Sequence, residues 1–271
     1  MNELSEKIII ITGAAGLLGS QYADAIFAAG GIPVLLDNDA PKLDLLKKLL
    51  EKKYKNPVLT MNTDITSDSS VQKASSFIYT NYGRIDGLIN NAARNPKVDK
   101  DGLHGDTRLE NFDVNAFSQD VSVGLTGAVI CCKYFGQLMA RNSGGGSIIN
   151  VSSDLGLIAP NQGLYRVNGL PAEEQPVKPV SYSVVKAGII GLTRYMATYW
   201  ARDGVRCNAI CPGGVENNQS SEFLSRISEL IPMGRMAQPN EFNGAVVWLL
   251  GASSSYVNGA VISLDGGRSA W

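Results

Sequence analysis

Short apolar runs alternate with longer stretches of helical character along most of the chain. Several runs lack the alternation of apolar and polar residues that marks a half-exposed strand, which favours strands buried on both faces. Each is too short to be a buried helix: KIIIIT, PVLL, NPVLTM, GLIN, SIINVS, VRCNAI and GAVISL. Between them the pattern predicts helices at about 17–29, 41–54, 68–82, 107–141, 181–202 and 239–251.

This order of strands and helices predicts an α/β fold, a doubly wound Rossmann-type parallel sheet with helices on both faces. We find no internal repeat, and no linker rich in Pro, Gly or Ser divides the chain. Residues 1–271 are therefore expected to form one domain. The segment 107–141 is long for a single helix and is expected to be broken.

Composition and charge narrow the class of protein. With 271 residues, 44% of them hydrophobic, the chain can bury a large core. The formal net charge is −1 with no long run of one sign, which argues against a surface for nucleic acid or for a membrane. The start MNELSEKIIIITG suits neither a signal peptide nor a spanning helix, so a cytoplasmic location is expected.

The cysteines and the histidine offer little chemistry. Cys131, Cys132, Cys207 and Cys211 form no C-x-x-C pair and are expected to be buried, reduced thiols, with no metal site. The single histidine, His104, lies in a polar stretch where a loop is expected. A Ser-His-Asp hydrolase is therefore disfavoured.

The first strand runs directly into the glycine-rich sequence T12-G-A-A-G-L-L-G19, and a helix follows. Backbone N–H groups at such a turn, together with the helix dipole, suit a pyrophosphate. Gly13, Gly16 and Gly19 are required there because a Cβ would hold the phosphate away. The context of strand, turn and helix predicts a dinucleotide site.

Asp37 ends the second predicted strand, at the distance from the glycine turn where a carboxylate binds the ribose hydroxyls. A 2′-phosphate would meet like charge there, and Ala14 and Ala15 supply no cation in the turn. NAD is therefore favoured over NADP. A simple turn residue at the strand end is the alternative role for Asp37.

Tyr182 and Lys186 lie four residues apart in SYSVVKAG, a spacing that places both on one face of a helix. The spacing alone fits a solvated surface pair equally well. The wider sequence decides between the two, because the chain resembles the short-chain dehydrogenase/reductase family over essentially its full length. The resemblance is carried by seven motifs in order: TGAAGLLG, Asp64 in NTDIT, NNAA at 90–93, NVSS ending at Ser153, Tyr182-S-V-V-Lys186, CPGGV at 211–215 and NGAVISLDGG.

The resemblance implies a catalytic role for three side chains. Tyr182 would exchange a proton with the substrate oxygen, and Ser153, rather than Ser152, would bind that oxygen. Lys186 and an oxidised nicotinamide would lower the pKa of the Tyr182 phenol, and Lys186 would also hold the nicotinamide ribose.

The resemblance also implies the cofactor contacts and the assembly. A homo-oligomer, a tetramer or a dimer, is expected by analogy, acting on a small-molecule substrate. Asn90 would support the cofactor site. The cofactor-binding residues expected besides Tyr182 and Lys186 are Gly13, Gly16, Leu18, Gly19, Asp37, Asp64, Ile65, Asn91, Ala92, Ala93, Pro212, Gly213 and Val215.

Two features depart from the family pattern. The glycines are spaced G-x-x-G-x-x-G, as in an epimerase-like branch, rather than G-x-x-x-G-x-G. Gly124 stands where the family has a fourth catalytic residue, an asparagine. A local distortion of the helix at Gly124 could leave a backbone carbonyl open in its place. Asn115 is an alternative substitute, and an exposed helix residue is its other interpretation.

The segment between Ser153 and Tyr182 is longer than the family commonly has, which predicts an insertion over the active site at about 154–180. A lid is expected at about 214–232. The insertion and the NNAARNPK pattern resemble dehydrogenases of bacterial surface-sugar and flagellin-glycan pathways. Polar side chains in and near the insertion suit a sugar or sugar phosphate: Arg94, Asn95, Lys97, Asn161, Gln162, Tyr165, Arg166 and Lys178.

The sequence thus predicts an NAD-dependent oxidoreductase for a secondary alcohol or ketone. Two alternatives remain open at this point. One is a catalytically silent NAD-binding protein, which Gly124 would favour. The other is a sugar epimerase or dehydratase that retains its NAD, which the glycine spacing would favour.

Overall fold

Seven parallel strands form one sheet in a computed structural model that describes residues 3–94, 98–99, 102–103 and 107–271. The strand order is β3-β2-β1-β4-β5-β6-β7, which confirms the doubly wound topology. Val98–Asp99 and Gly102–Leu103 pair outside this sheet. The strands are β1 (Ile8–Thr12), β2 (Ile32–Asp37), β3 (Leu59–Asn62), β4 (Gly87–Asn90), β5 (Gly146–Val151), β6 (Val205–Pro212) and β7 (Val261–Leu264).

Helices cover both faces of the sheet. One hydrophobic cluster joins the sheet to α1, α2 and α7, and a second joins the opposite face to α3, α4 and α5. The helices are α1 (Leu17–Ala28), α2 (Ala40–Tyr54), α3 (Asp68–Tyr82), α4 (Val114–Met139), α5 (Val180–Tyr199), α6 (Ser221–Ser228) and α7 (Asn243–Leu250).

Strand β1 shows why its run is apolar throughout. Ile9 and Ile11 belong to the first cluster, whereas Ile8 and Ile10 belong to the second. Successive side chains of a strand point to opposite faces, so a strand covered on both sides needs an apolar residue at every position. Each buried isoleucine contributes about 1.5–3 kcal/mol.

Three predicted helix boundaries differ from the structure by three residues or more. One is the start of the last helix, expected at 239, which begins at Asn243. The helix expected from residue 107 begins at Val114, because the Asp113 carboxylate accepts a hydrogen bond from the Asn115 amide (2.9 Å) and caps the first turn. The helix expected to reach residue 202 ends at Tyr199, and a separate 3₁₀ turn, Ala201–Asp203, follows it.

Helix α4 is distorted at Gly124, where a distortion was considered from the sequence. A π-helical turn spans Ser122–Thr126, and the Gly127 amide donates to the Ser122 carbonyl, five residues back. A Cβ on Gly124 would lie 2.5 Å from Cγ1 of Val185. Glycine is therefore the residue that lets α4 approach α5 at this point.

Helix α4 is also long and apolar enough to cross a membrane, judged by length and composition alone. In its most apolar window, 44% of the residues are buried. They face the sheet and its covering helices through side chains such as Cys131, Phe135 and Met139.

All four cysteines are buried and unpaired, as expected. Burial raises the pKa of each thiol, so these side chains stay protonated at neutral pH. Within the described ranges no group of three or more His, Cys, Asp or Glu residues is placed to hold a metal ion.

The packing at the start of α1 makes a testable prediction. A Cβ on Gly19 would lie 2.3 Å from the Gly13 carbonyl oxygen, so Gly19→Ala should lower the free energy of unfolding by about 2 kcal/mol. Gly244→Ala in α7 is the control, because nothing lies within 4 Å of its Cβ position. Denaturant unfolding measures both variants, and equal midpoints would contradict this account.

Candidate active site

The glycine turn lies at the carboxyl end of β1 and is built from closely packed backbone. Gly13 has a φ of +61°, and a Cβ there would lie 2.8 Å from Cα of Ala92. The side-chain amide of Asn91 donates to the carbonyls of Thr12 (3.1 Å) and Gly13 (3.0 Å). The loop after β4 therefore holds the turn in place.

Helix α1 begins at this turn without a side-chain cap. The N-cap residue is Gly16, which has no side chain to accept a hydrogen bond from the first turn of the helix. That turn also contains no acidic residue. Gly16, Leu17 and Leu18 line a cleft of about 840 Å³, into which the positive end of the helix dipole is directed. An open cradle of this kind fits a pyrophosphate.

Asp37 lies at the other side of the turn and is held by backbone amides. Its carboxylate oxygens accept one hydrogen bond from Ala15 (2.9 Å) and one from Asp39 (3.0 Å). Lone pairs remain for ribose hydroxyls. Asp39 and Lys42 also line the cleft, and they form an ion pair of 2.5 Å.

The structure places nearly all of the predicted cofactor residues along the same cleft. Two predicted residues do not line it. Gly19 packs behind the turn. Asn90 is buried at the end of β4, where its side-chain amide donates to Asn150 (2.8 Å) and to the Cys132 sulfur (3.3 Å). The residues that do line it are Gly13, Gly16, Leu18, Asp37, Asp64, Ile65, Asn91, Ala92, Ala93, Pro212, Gly213 and Val215.

Ser153, Tyr182 and Lys186 meet at the far end of this cleft. The Lys186 ammonium donates to the Val151 carbonyl at the end of β5 (2.9 Å) and lies 5.8 Å from the centroid of the Tyr182 ring. Ser152, the serine not favoured from the sequence, donates to the Lys186 carbonyl (2.7 Å) and anchors α5. These contacts fix α5, which carries the tyrosine and the lysine, against the carboxyl end of β5, which both serines follow.

Burial dominates the ionisation of this group. It raises the pKa of Tyr182 to about 12, although a hydrogen bond with Ser153 acts in the opposite direction. Burial also lowers the pKa of Lys186 to about 8. The lowered phenol pKa expected from the lysine is thus not found in the protein alone. A phenolate at neutral pH needs further positive charge beside the ring.

Lys178 is a second cation next to Tyr182, a role that was not predicted. Its ammonium lies 3.8 Å from the centroid of the Tyr182 ring, closer than that of Lys186. It lines the cleft, and burial lowers its pKa to about 8. The spacing 178, 182, 186 repeats every four residues, but Lys178 precedes α5 and its direction could not be read from helical periodicity.

Asp154 and Arg268 form a buried ion pair beside Ser153, which was also missed from the sequence. Arg268 Nη1 lies 2.7 Å from Asp154 Oδ2, and the Ser153 hydroxyl donates to Asp154 Oδ1 (2.7 Å). The two charged residues are 114 positions apart. The one signal in the sequence is that Asp154 directly follows Ser153.

The predicted substrate residues divide into three groups. Tyr165 lines the cleft, and so does Arg94, whose guanidinium pairs with Asp120 (3.4 Å). Arg166 is exposed and lies outside the cleft. Its backbone carbonyl accepts a hydrogen bond from Arg226 (2.6 Å), and its backbone N–H donates to the Gly163 carbonyl (3.4 Å). Asn95 and Lys97 lie outside the described residues, as does His104, which was considered only as the base of a hydrolase.

Three further polar residues serve the local structure. Asn161 caps a short 3₁₀ turn, Gln162 accepts from the Lys178 amide (2.8 Å), and Asn115 is exposed at the start of α4. Asn115 is therefore wrong as a substitute for the family asparagine, because it does not line the cleft.

The insertion and the predicted lid pack against each other beside the cleft. The insertion forms 3₁₀ turns at Asp154–Gly156, Gln162–Tyr165 and Ala172–Glu174. Helix α6 lies in the predicted lid, and its Phe223 ring is 5.9 Å from that of Tyr165. A small hydrophobic cluster, separate from the main core, joins the two segments.

Comparison with known proteins agrees with this geometry. Residues 7–166 match the family model "short chain dehydrogenase", and residues 172–269 match the model "Enoyl-(Acyl carrier protein) reductase". The chain therefore belongs to the short-chain dehydrogenase/reductase family. It is an oxidoreductase of the kind that acts on alcohols and ketones.

Three similar proteins show the extent of the match. The post-translational flagellin modification protein A of Campylobacter coli is 29% identical over 97% of this chain and 98% of its own. The 7alpha-hydroxysteroid dehydrogenase of Bacteroides fragilis is 30% identical over 98% and 96%. A short chain dehydrogenase from Leptospira borgpetersenii, solved with bound NAD⁺, is 28% identical over 99% and 94%, with a TM-score of 0.83.

The position of Lys178 predicts a pH-dependent effect on alcohol oxidation, which needs the Tyr182 phenolate. Lys178→Met removes the cation over the ring and should lower kcat/KM about tenfold at pH 7. Near pH 9.5 the loss should fade, because Lys178, with a pKa of about 8, is already neutral there. Lys178→Arg should keep the parent rate at pH 7. A loss that stays constant with pH would contradict the prediction.

Proposed function

We propose that the protein is an NAD-dependent dehydrogenase that interconverts a secondary alcohol and a ketone on a polar, hydroxylated substrate. The observation that carries the proposal is the meeting of Ser153, Tyr182 and Lys186 at one end of the cleft whose other end is the glycine turn. Proton transfer and cofactor binding thus share one cavity. A binding protein without catalysis would not need the buried lysine beside the tyrosine.

The residues have separate roles in this reaction. A bound nicotinamide would supply or accept the hydride. Ser153 binds the reacting oxygen of the substrate, and Tyr182 gives a proton to that oxygen when a ketone is reduced. In the opposite direction the Tyr182 phenolate takes the proton of the alcohol. Lys186, held by the Val151 carbonyl, stabilises the phenolate.

The raised pKa of Tyr182 fits a proton donor better than a base. With a pKa of about 12 in the protein alone, the phenol keeps its proton throughout the neutral range. Lowering this pKa from about 12 to the neutral range requires about 7 kcal/mol of preferential stabilisation of the phenolate. Oxidised nicotinamide carries a positive charge, so phenolate formation is expected when that form is bound.

The proposed choice of NAD rests on the carboxylate at the end of β2. From the part of the chain that the structure describes, Asp37 accepts two hydrogen bonds, both from backbone amides, and we place its charge beside the ribose hydroxyls. Asp39 adds a second carboxylate to this part of the cleft. Lys42, which lines the same part of the cleft, already forms an ion pair with Asp39.

A polar substrate is supported by the residues around Tyr182. Asp154, Lys178 and Arg268 line the cleft as charged groups, and Tyr165 adds a hydroxyl. A polar substrate can form hydrogen bonds with these groups, whereas a steroid or acyl chain would cover their charges with apolar surface. The similarity to a flagellin modification protein is consistent with a sugar-like substrate.

We also propose that the protein forms a homo-oligomer through α4 and α5 in the cytoplasm. Val129, Val184, Tyr195 and Tyr199 project from these helices with between 45% and 60% of their surface exposed. A second copy of this face would remove them from water. The four reduced thiols agree with the proposed compartment.

Substitution of the tyrosine tests the proposed chemistry. Tyr182→Phe should lower turnover by a factor of about 100 or more, because the proton donor is lost, while NADH affinity stays within about threefold. Tyr195→Phe, on the exposed side of the same helix, is the matched control and should keep full turnover. A screen of polyols, sugars and their ketones at 340 nm supplies the assay. An active Tyr182→Phe enzyme would refute the assignment.

Substitution of Asp37 tests the proposed cofactor. Asp37→Asn keeps the size of the side chain and one of its two backbone hydrogen bonds but removes its charge. The ratio of NADPH to NADH affinity should rise about tenfold, as measured by fluorescence titration without substrate. An unchanged ratio would show that Asp37 does not determine the preference.

The proposed oligomer is tested by light scattering. The parent protein should have the mass of two or four chains, and Val129→Asp should reduce it because a carboxylate would be buried in the interface. Leu45→Asp, on the exposed face of α2, is the control. A monomeric parent protein would overturn the proposal.

A further inference from the structure

A buried ion pair lies in the substrate end of the cleft, next to the catalytic serine. Asp154 follows Ser153 directly, and Arg268 belongs to the last turn of the chain, Arg268–Ala270. Their side chains are only 3% and 7% exposed, respectively, yet both line the cleft. Asp265 fixes the turn by accepting hydrogen bonds from the amides of Gly267 (3.0 Å) and Ser269 (2.9 Å).

A buried ion pair is weak support for stability alone, because well-packed apolar residues serve as well or better. This chain has many such apolar residues where its helices pack against the sheet. The place of the pair in the cleft, in contact with the serine that binds the reacting oxygen, favours a role in substrate binding.

The hydrogen-bonding capacity left on the pair is specific. Asp154 Oδ1 accepts two hydrogen bonds, from the Ser153 hydroxyl (2.7 Å) and the Leu155 amide (2.8 Å), whereas Oδ2 accepts only from Arg268 (2.7 Å). One acceptor position therefore remains on Oδ2. Among the described residues, the other guanidinium N–H groups of Arg268 have no acceptor, and none of their nitrogens is sealed from solvent.

A free acceptor beside free donors is the complement of a hydroxyl group, which both donates and accepts. Asp154 would accept the hydroxyl proton, and Arg268 would donate to the hydroxyl oxygen. Because Asp154 also holds the hydroxyl of Ser153, this position is adjacent to the one where the reacting oxygen binds. The two substrate oxygens would then be carried by neighbouring carbon atoms.

We propose that Asp154 and Arg268 bind a second hydroxyl of the substrate, on the carbon next to the reacting carbon, so that the substrates are vicinal diols and α-hydroxyketones. The inference rests on the proposed dehydrogenase activity and defines its substrate class. Tyr165 and Phe223, whose rings are 5.9 Å apart, form the apolar side of the same region.

Matched substrates test this subsite. Butane-2,3-diol and butan-2-ol are compared with NAD⁺, and acetoin and butan-2-one with NADH. The parent enzyme should prefer the compound with two oxygens, the diol or acetoin, by about 100-fold or more in kcat/KM. The reason is that a substrate without the second oxygen forms no hydrogen bonds with Asp154 and Arg268. Arg268→Met should reduce this preference to less than about tenfold, through loss of activity on the diol.

Two further variants separate binding from folding. Arg268→Lys keeps the charge and should retain part of the preference. The double variant Asp154→Asn with Arg268→Gln keeps a neutral pair, so it should fold even if Arg268→Met does not, and it should also lose most of the preference. Thermal unfolding and NADH titration show that each variant is folded and binds the cofactor.

The outcomes distinguish this inference from the proposed function. Equal rates on the diol and the simple alcohol, or an unchanged preference in the folded variants, would overturn the subsite and leave the dehydrogenase intact. No turnover of any alcohol or ketone with either cofactor would overturn the dehydrogenase and the subsite with it. A strong preference that disappears in the folded variants is the supporting result.

Discussion

The hydrogen bond from the Lys186 ammonium to the Val151 carbonyl connects the helix that carries the chemistry to the sheet that carries the cofactor cleft. Its length of 2.9 Å fixes the middle of α5 against the end of β5, and Ser152 strengthens the contact by bonding the Lys186 carbonyl. Tyr182 lies one helical turn earlier and Ser153 lies two residues after Val151. One helix and one strand end therefore determine the relative positions of all three groups.

The cost of this arrangement is the burial of several charges. Desolvation raises the pKa of Tyr182 and lowers those of Lys178 and Lys186. The site therefore favours a neutral phenol until positive charge arrives, which links the protonation of Tyr182 to the oxidation state of the cofactor. A site of this kind holds its proton when it is needed for reduction and can release it when an alcohol is oxidised.

The fold could be predicted well because its determinants are local. Each strand is a short apolar run, and β1 alternates between two hydrophobic clusters, which requires the unbroken IIIIT. The glycine turn was recognisable because Gly13 and Gly19 allow contacts that any Cβ would prevent. Helix boundaries were less accurate where a single cap, such as Asp113, decides the first residue.

The site could be predicted only where a motif fixed it. Ser153, Tyr182 and Lys186 follow a family pattern, but the contacts of Asp154 with Arg268 and of Lys178 with Tyr182 depend on tertiary packing. Arg268 stands 114 residues from its partner, in a segment without any motif of its own for catalysis. Tyr165 and Arg166 are equally good candidates before the fold is known, and the structure shows that Tyr165 lines the cleft.

The ionisation of Tyr182 tests the central claim most directly. Tyrosine labelled with ¹³C at Cζ, with Tyr182→Phe to assign the resonance, reports the phenol and phenolate forms by NMR as pH is raised. The account predicts a phenol up to at least pH 10 in the free protein and an apparent pKa lower by about 2 units or more with NAD⁺ bound. The same pKa in both states would contradict it.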